Sequence, residues 1–360
     1  MPQLFGRTYT RQQIRDLTGD MSQVAALRRT EYVEGPERGA GLIEVFNASG
    51  LCFSLLPGRA LDIASAHYKG MSLGFRSSTG NVGPGFYEPE GFGWLRGFFG
   101  GLLATCGMTF VGHPETDAEE ENEALGLHGR ISYTPAREIG TRGFWDGEDY
   151  LLEVTGTMRE AVVFGTDLKL TRRITTVLGE PTLRVEDRIE NQATASSPLM
   201  FLYHMNPGFP VLDVGARFLF RSERSTEWEE NREIDPKICV DVGALADEHT
   251  DNVYVHRTIA DTSGTVEAAL VNDGLGMGIA FRWPQSEMPL LTQWQHYTKG
   301  TFVMGIEPGN CSPLGRAWNR ANGSLESIAP GEVKRFNMEI TVLDGAHAIA
   351  EAEKRVEGDL

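Results

Sequence analysis

The sequence predicts an all-β protein built as one large antiparallel sandwich, and three observations carry that prediction. Apolar and polar residues alternate with a period of two in several segments, as in strands that bury one face. The 360 residues include 42 glycines and 17 prolines, many of them in turn-forming clusters between those segments. The sequence shows no alternation of strand and helix patterns, which disfavours a parallel α/β sheet.

The N-terminal region carries the first helical patterns of the chain. Residues Arg11–Leu17 and Ser22–Arg28 are predicted to form short helices, with Gly19 between them. We therefore expect residues 1–40 to form a helical and extended segment that packs on the main domain. We expect the β-sandwich itself over residues 41–345.

Alternation is clearest in three later segments of the main domain. The apolar residues of these faces are Leu168, Leu170, Ile174, Leu183, Val185, Ile189, Phe336, Met338, Ile340 and Val342. The run Leu199–Tyr203 is apolar throughout, which predicts a strand covered on both faces. Acidic and basic residues alternate in the tail, residues 346–360, which is a candidate for a terminal helix.

The charge of the chain restricts its partners. The formal net charge is −17 at pH 7, which disfavours nucleic acid and anionic membranes, because both require clustered Lys and Arg. No apolar segment approaches the roughly 20 residues of a membrane helix. The first residues lack the apolar run of a secretory signal. We therefore expect a cytoplasmic protein. The sequence leaves open whether it forms a homodimer.

The four cysteines give no metal or redox signature. Cys52, Cys106, Cys239 and Cys311 are far apart, and no C-x-x-C pair occurs. Free thiols in a reducing compartment are expected. Cys106 admits interpretation as a nucleophile, but a buried small apolar residue is favoured. We expect no metal and no cofactor.

Three ionisable residues beside turn residues are candidates for catalysis. His128 precedes a glycine, His204 ends the apolar run, and Glu307 precedes a proline. Side chains at strand ends can converge on one cleft while the sheet stays rigid. For each residue taken alone, the spacing favours an ordinary turn or core role, but together the three are the set that acid–base chemistry needs.

A loop rich in glycine and aromatic residues, Gly91–Gly101, fits no nucleotide-binding fingerprint. Its aromatic residues predict close packing, either in the core or along a ligand cleft. Both interpretations stay open for Trp94.

Several short motifs occur in a fixed order along the chain. They are Gly19–Val24, Leu56–Ile63, Tyr68–Gly70, Gly100–Gly107, Leu127–Arg130, Leu202–Asn206 and Ile306–Asn310. With these motifs the chain resembles the aldose 1-epimerase (galactose mutarotase) superfamily, in particular a bacterial DUF4432-type branch. The resemblance implies a β-supersandwich of the galactose mutarotase type, with a sugar site on its concave face.

The resemblance also implies roles for individual residues. Glu307 matches the general base, His204 the general acid, and His128 the second histidine near the ring oxygen. Arg59 matches an arginine that holds sugar hydroxyls. Asp62, in the same motif as Arg59, is expected beside the substrate.

Further substrate contacts are expected from Trp94, Asn206, Gln293 and Trp294. The chain departs from well-studied mutarotases in one respect. Those proteins carry an Asp in a Gly-Tyr-Asp-His type motif that binds ring hydroxyls, and no such motif occurs here. The identity of the sugar therefore stays open.

The expected reaction is the interconversion of sugar anomers through the open-chain carbonyl. It needs one base and one acid. Glu has an ordinary pKa of about 4.3 and His of about 6.5, so an ionised Glu307 and a protonated His204 are expected to coexist near neutrality. The alternatives are a non-catalytic carbohydrate-binding or sensing protein, and an epimerase or isomerase of a keto, acidic or sulfonated sugar.

Overall fold

The computed structural model describes residues 1–119, 123–249 and 251–358. Its helices are α1 (Arg11–Leu17), α2 (Arg316–Ala321) and α3 (Ala346–Glu357). Its strands, in chain order, are β1 (Gln3–Leu4), β2 (Arg7–Thr8), β3 (Ala26–Glu31), β4 (Gly41–Phe46), β5 (Leu51–Leu56), β6 (Asp62–Tyr68), β7 (Met71–Ser72), β8 (Phe75–Arg76), β9 (Gly100–Gly101), β10 (Leu103–Met108), β11 (Glu115–Asp117), β12 (Glu123–Leu125), β13 (Arg137–Asp146), β14 (Asp149–Ala161), β15 (Asp167–Val177), β16 (Thr182–Asn191), β17 (Ser197–Met205), β18 (Arg217–Leu219), β19 (Ser222–Glu227), β20 (Asn252–Thr258), β21 (Thr265–Asn272), β22 (Met277–Pro284), β23 (Leu290–Thr298), β24 (Thr301–Gly309), β25 (Glu326–Ile328) and β26 (Val333–Asp344).

Two antiparallel sheets make up the sandwich. Within the described ranges, the large sheet has 12 strands, with the order β19-β20-β23-β24-β17-β10-β6-β5-β4-β3 and with β25 and β7 attached to β17 and β6. Among the same described residues, the small sheet has 8 strands, with the order β13-β14-β15-β16-β26-β22-β21-β18. The prediction of an all-β antiparallel sandwich is confirmed.

The main core lies between the two sheets and follows from the period-two alternation. Leu168, Leu170 and Ile174 of β15 point inward, and so do Leu183 and Val185 of β16. Residues between them face outward, because successive side chains of a strand point to opposite faces. On β17 both faces are buried, because the outer face of the large sheet is covered by loops.

One fully buried arginine interrupts this apolar core. Arg172 of β15 lies directly opposite Asp187 of β16, and both residues take core-facing positions. Its guanidinium donates to Asp187 Oδ2 over 2.6 Å and to Asp62 Oδ1 of the large sheet over 3.0 Å. A buried arginine needs such partners, because an unpaired charge in a dry core costs several kcal/mol. The ion pairs therefore bind the two sheets to each other.

The same network reaches the strand that carries His204. Thr105 of β10 donates its hydroxyl to Asp62 over 2.6 Å. Tyr203 of β17 donates its hydroxyl to Asp187 over 2.7 Å. Thr105 and Tyr203 lie opposite each other on the two strands. The adjacent cross-strand pair contains His204. The network thus lies directly behind His204, on the core side of the sheet.

The N-terminal segment differs in part from its prediction. The helix α1 forms as expected and begins at a capping box between Thr10 and Gln13. The predicted helix over Ser22–Arg28 is wrong, because Ala26–Glu31 pairs with Gly41–Phe46 as an edge strand of the large sheet. Tertiary pairing overrides local propensity here, and the expected boundary at residue 40 falls between two paired strands.

The C-terminal segment forms the helix α3, which packs on the outer face of the small sheet. Ile349 and Ala352 contact Ala269 and Val271 of β21 there. The predicted tail included residues 359–360, which lie outside the described residues. No helix within the described ranges has the length and apolarity to span a membrane.

Replacement of Arg172 by Ala should destabilise the fold by about 3–5 kcal/mol, because Asp62 and Asp187 would be left buried without their counter-charge. Urea denaturation followed by circular dichroism measures this loss. The exposed Arg159, which pairs with Asp167 on the surface, supplies the matched control Arg159→Ala, with a change of about 1 kcal/mol or less. Equal losses for the two variants would contradict the structural role of the Arg172 network.

Candidate active site

A cavity of about 410 Å³ opens on the outer face of the large sheet. This volume lies within the roughly 300–1,000 Å³ typical of small-molecule sites. The residues that line it are Phe75, Ser77, Ser78, Phe92, Trp94, Leu95, Phe98, His113, Leu127, His128, His204, Trp228, His249, Asp251, Val253, Thr292, Trp294, His296, Thr301, Val303, Glu307 and Pro313. Aromatic and histidine side chains dominate this lining. All three predicted catalytic residues are among them.

Strand alternation explains which side chains of β23 reach the cavity. Thr292, Trp294 and His296 are two residues apart and share the outer face. Thr292 lies directly opposite Glu307 of the neighbouring strand β24. These side chains form the polar floor of the cavity, on the outer face of the sheet.

Glu307 and His204 are in direct contact at the bottom of the cavity. The distance between His204 Nε2 and Glu307 Oε1 is 3.2 Å. Both side chains are buried, with 6% of the His204 side chain and 4% of the Glu307 side chain exposed. Neighbouring strands supply the two groups, since β17 pairs with β24. The structure therefore brings these two distant segments together, as the sequence predicted.

His128 reaches the same cavity from a tight turn. Its backbone is left-handed, with φ at 55°, and Gly129 follows with φ at 74°. A Cβ at position 129 would lie 2.8 Å from the Gly107 carbonyl oxygen, so only glycine fits there. The His128 ring lies 5.9 Å from the His204 ring, measured between centroids. The turn thus presses His128 against β10 and aims its ring at His204.

Burial changes the protonation of this cluster. Burial raises the pKa of Glu307 to about 8, and the negative charge of Asp251 adds to that shift. Burial lowers the pKa of His204 to about 4. Burial also lowers the pKa of His128 to about 3, with the nearby imidazoles of His204 and His113 contributing.

The expected coexistence of an ionised Glu307 and a protonated His204 is therefore corrected. The dry environment penalises both charges, so the neutral pair is favoured near pH 7. The pair holds one proton in either form, and that proton lies on Glu307 in the favoured one. A shift of the proton across the 3.2 Å contact between the two side chains converts one form into the other.

Several buried polar atoms at the site have no hydrogen-bond partner among the described residues. They are Nδ1 of His128, Nδ1 of His204, Nδ1 of His296 and the hydroxyl oxygen of Thr292. Unpartnered polar atoms cost about 1–3 kcal/mol each when buried. Buried polar groups are otherwise almost always hydrogen-bonded, so their concentration here calls for an explanation, and a catalytic role is one.

Asp251 is a cavity residue that the sequence analysis missed. It accepts a hydrogen bond from the Trp294 indole and lies 4.0 Å from the His296 ring nitrogen. Its position after a polar loop carries no motif and no periodicity, so the sequence alone gives no signal for it. It supplies the second carboxylate of the cavity, beside Glu307.

Arg59 and Asp62 do not line the cavity, contrary to their expected contacts with sugar. Arg59 is 1% exposed and donates to the carbonyl oxygens of Ser132, Val82 and Gly97. Asp62 is fully buried in the ion pair with Arg172. Arg59 braces the loops around the cavity, and Asp62 belongs to the network behind it.

Asn206 and Gln293 are also directed away from the cavity. Asn206 donates to the His204 carbonyl oxygen over 2.8 Å and so supports that segment from behind. Gln293 donates to the Cys239 carbonyl oxygen and contacts His256. Gln293 and Trp294 are adjacent on one strand, so their side chains point to opposite faces, and only Trp294 reaches the cavity.

The glycine-rich loop forms one wall of the cavity. Trp94 is 2% exposed, and its indole donates to the Ser132 hydroxyl over 2.8 Å. Its ring lies 5.2 Å from the His128 ring and 4.8 Å from the Phe98 ring. Trp94 therefore packs in the core and lines the cavity at the same time.

Cys106 lies near the site but is a buried apolar residue. It is fully buried beneath the cavity wall, and burial raises the pKa of its thiol well above the ordinary value. A thiol of this kind is a poor nucleophile. Among residues 1–119, 123–249 and 251–358, no group of three or more His, Cys, Asp or Glu side chains is arranged to hold a metal ion.

The model of a family described as a domain of unknown function (DUF4432) matches residues 37–342. No curated protein matches the chain significantly.

Solved structures share the fold. A Klebsiella pneumoniae protein, provisionally named an aldose 1-epimerase, has a TM-score of 0.85 at 23% identity, over 92% of this chain and 86% of that one. A galactose mutarotase-like protein from Clostridium acetobutylicum has a TM-score of 0.62 at 14% identity, over 88% and 99%. Galactose 1-epimerase from Lactobacillus acidophilus has a TM-score of 0.57 at 12% identity, over 89% and 99%. The predicted galactose mutarotase-like fold is confirmed.

Replacement of Glu307 by Gln should stabilise the protein increasingly as the pH rises. The folded-state pKa of Glu307 is raised to about 8 from its ordinary value, so its favourable contribution is complete below that ordinary value and is lost as the pH rises through 8. Gln does not titrate. The melting temperature of Glu307→Gln relative to the wild type should therefore rise between about pH 5 and pH 8.

The matched control is Glu229→Gln, which changes an exposed carboxylate in the same way. Its difference from the wild type should vary little over this pH range. Parallel curves for Glu307→Gln and the wild type would refute the raised pKa.

Proposed function

We propose that this chain, which belongs to the family of the domain of unknown function DUF4432, interconverts the anomers of a sugar by general acid–base ring opening. The observation that carries the proposal is the 3.2 Å contact between His204 and Glu307 on the floor of a sugar-sized cavity. His128, beside His204, completes the set. The fold shared with a protein named galactose mutarotase-like and with one named galactose 1-epimerase supports the same reaction class.

Anomer exchange opens and then closes the sugar ring, and each of these steps needs two proton transfers. A base takes the proton of the C1 hydroxyl while an acid gives a proton to the ring oxygen, and the bond between C1 and the ring oxygen breaks. The open-chain carbonyl forms, the C1–C2 bond rotates, and the ring closes on the other face. We assign Glu307 as the base, His204 as the acid, and His128 as the group that stabilises the ring oxygen.

Substrate binding prepares the pair for these roles. The C1 hydroxyl that enters between the two groups donates a hydrogen bond to Glu307, and such a bond favours the ionised carboxylate. The proton that Glu307 holds then passes to His204, which becomes the acid. Closing of the ring on the opposite face reverses both transfers. A pair that carries one proton therefore serves both directions.

The cavity also offers groups for recognition of the sugar. Trp294 provides an aromatic surface for the apolar face of a pyranose. Asp251 supplies a carboxylate acceptor for hydroxyls, in place of the motif Asp that the sequence lacks. The unpartnered Thr292 hydroxyl, opposite Glu307, is a further donor and acceptor.

An uncharged sugar fits this lining better than an acidic or sulfonated one. The described lining contains no Lys and no Arg, while Asp251 and Glu307 contribute acidic groups. A carboxylate or sulfonate on the substrate would lose its hydration without a cationic partner, which is costly. We therefore favour a neutral aldose over the acidic or sulfonated alternatives.

A purely binding protein is the second candidate, because the aromatic walls alone suit carbohydrate. The buried acid–base pair argues against it. A carboxyl group held in a dry site with a raised pKa costs stability and adds little to recognition. The variant below separates the two candidates, since a pure binder shows no enzyme-dependent exchange to lose.

Replacement of Glu307 by Gln should lower the rate of anomer exchange by about 10²-fold or more, because positioned proton transfer contributes on the order of 10²–10⁴-fold. The rate is measured by saturation-transfer NMR on a panel of neutral aldoses. The matched control is Glu160→Gln, at a second glutamate whose pKa is raised, to about 7, but which lies outside the cavity lining. A folded Glu307→Gln protein with the wild-type rate would remove the assignment.

The pH profile of kcat/KM should be flat between about pH 5 and pH 7. The pair gains a second proton near the pKa of His204, about 4, and loses its only proton near the pKa of Glu307, about 8. Activity should fall on both sides of this range. The measurement is anomer exchange from pH 3.5 to 9.5, corrected for the spontaneous reaction. A single inflection near 6.5, the ordinary value of His, would be incompatible with this coupling.

A further inference from the structure

A second hollow, of about 260 Å³, lies beside the catalytic cavity on the outer face of the large sheet. The two hollows share Trp228, which lines both of them. They are also separated by one short segment, because Pro313 lines the first while Ser312 and Leu314 line the second. Trp228 and the segment 312–314 therefore lie at the boundary between the two hollows.

Strand alternation places the two hollows on the same face. On β23, Thr292 lines the catalytic cavity and Leu290 lines the second hollow. On β20, Val253 and Val255 divide in the same way. Residues two apart on a strand share a face and are about 7 Å apart, so the hollows are direct neighbours.

We infer that the second hollow is a binding compartment for another sugar unit, and that the substrate is the reducing end of a di- or oligosaccharide. This inference rests on the proposed function, because it places the anomeric carbon at Glu307. The next unit of the chain extends past Trp228 and enters the second compartment.

The lining of the second compartment suits a sugar unit. Trp228 and Trp318 supply two partly buried aromatic side chains, on which the C–H face of a pyranose can pack. Asn231, Asn322 and Ser324 add amide and hydroxyl groups around them. Aromatic surfaces with a few polar groups that fix orientation are the usual make-up of small-molecule sites.

A buried hydroxyl in this compartment lacks a partner. Ser312 is 3% exposed, and its hydroxyl oxygen has no hydrogen-bond partner in the described part of the chain. Its backbone is fixed by Asn319, which accepts from the Ser312 N–H over 3.1 Å and donates to the Ser312 carbonyl oxygen over 2.9 Å. The hydroxyl is thus held in place for a group that the protein itself does not provide.

The charges of the compartment favour an uncharged unit. Arg224 lies 3.5 Å from Glu233, and Arg257 lies 3.6 Å from Glu223. Each arginine therefore has a carboxylate partner on the surface. With both cations balanced, the compartment has no net attraction for an anionic group, and a neutral sugar unit is the matching ligand.

The test compares glucose with maltose, cellobiose and lactose, which all carry glucose at the reducing end. Wild-type kcat/KM for anomer exchange should be higher for at least one disaccharide than for glucose. Replacement of Trp318 by Ala should lower that disaccharide value by about tenfold and leave the glucose value unchanged, since an aromatic contact contributes up to about 1.5 kcal/mol. Trp318→Phe keeps an aromatic ring and should restore most of the difference.

Two outcomes overturn the inference. In one, the wild-type protein treats every disaccharide no better than glucose. In the other, a folded Trp318→Ala protein changes both kinds of substrate equally.

Failure of the proposed reaction gives a different result. If the wild type exchanges no anomers, saturation-transfer difference NMR on the same sugars still reports binding. Contacts from both rings of a disaccharide, with those of the non-reducing ring lost in Trp318→Ala, would retain the second compartment and reject catalysis. Contacts from one ring only, or no binding at all, would reject the compartment.

Discussion

The fully buried guanidinium of Arg172 is the interaction on which the rest of the structure depends. It joins Asp187 in its own sheet to Asp62 in the opposite sheet, and it donates to the Thr105 hydroxyl over 2.9 Å. An ion cluster of this kind is a costly way to gain stability, since a packed apolar core of equal volume does as well or better. Its contribution is to the specificity of the packing between the two sheets. The buried charges are all paired only when the two sheets are in one register. That register fixes the position of β17, the strand that carries His204.

From that fixed strand the site follows by alternation. The side chains of one face of β17, β23 and β24 form the core, and those of the other face form the floor of the cavity. The loops that cover this floor remove water from His204 and Glu307, and the loss of water moves both pKa values towards the neutral pair. The same burial that weakens the fold at high pH thus keeps a single proton on the pair across neutrality.

The sequence predicted the fold class, because alternation and turn residues are local signals, and it predicted that Glu307, His204 and His128 converge on one cavity. Their roles in acid–base chemistry were implied by the family resemblance and stay predictions. It failed where tertiary contacts decide. The core-facing positions 172 and 187 interrupt two otherwise apolar faces, which was an available signal for a buried ion pair. Gln293 and Trp294 were both expected at the sugar, although neighbours on a strand cannot share a face. Asp251 follows no periodic pattern, and only the folded chain brings it to Glu307.

The cavity lies on the outer surface of the large sheet, with the hydrophobic core on the opposite side of the same strands. A ligand therefore enters without any parting of the two sheets. Its walls come largely from connecting segments, such as the one that carries Trp94 and the one that carries Asp251. Exchange of those segments can change what the cavity binds, while the sandwich keeps its packing and His204 and Glu307 keep their places. In this architecture, the specificity of the cavity can change without a change in the ability of the chain to fold.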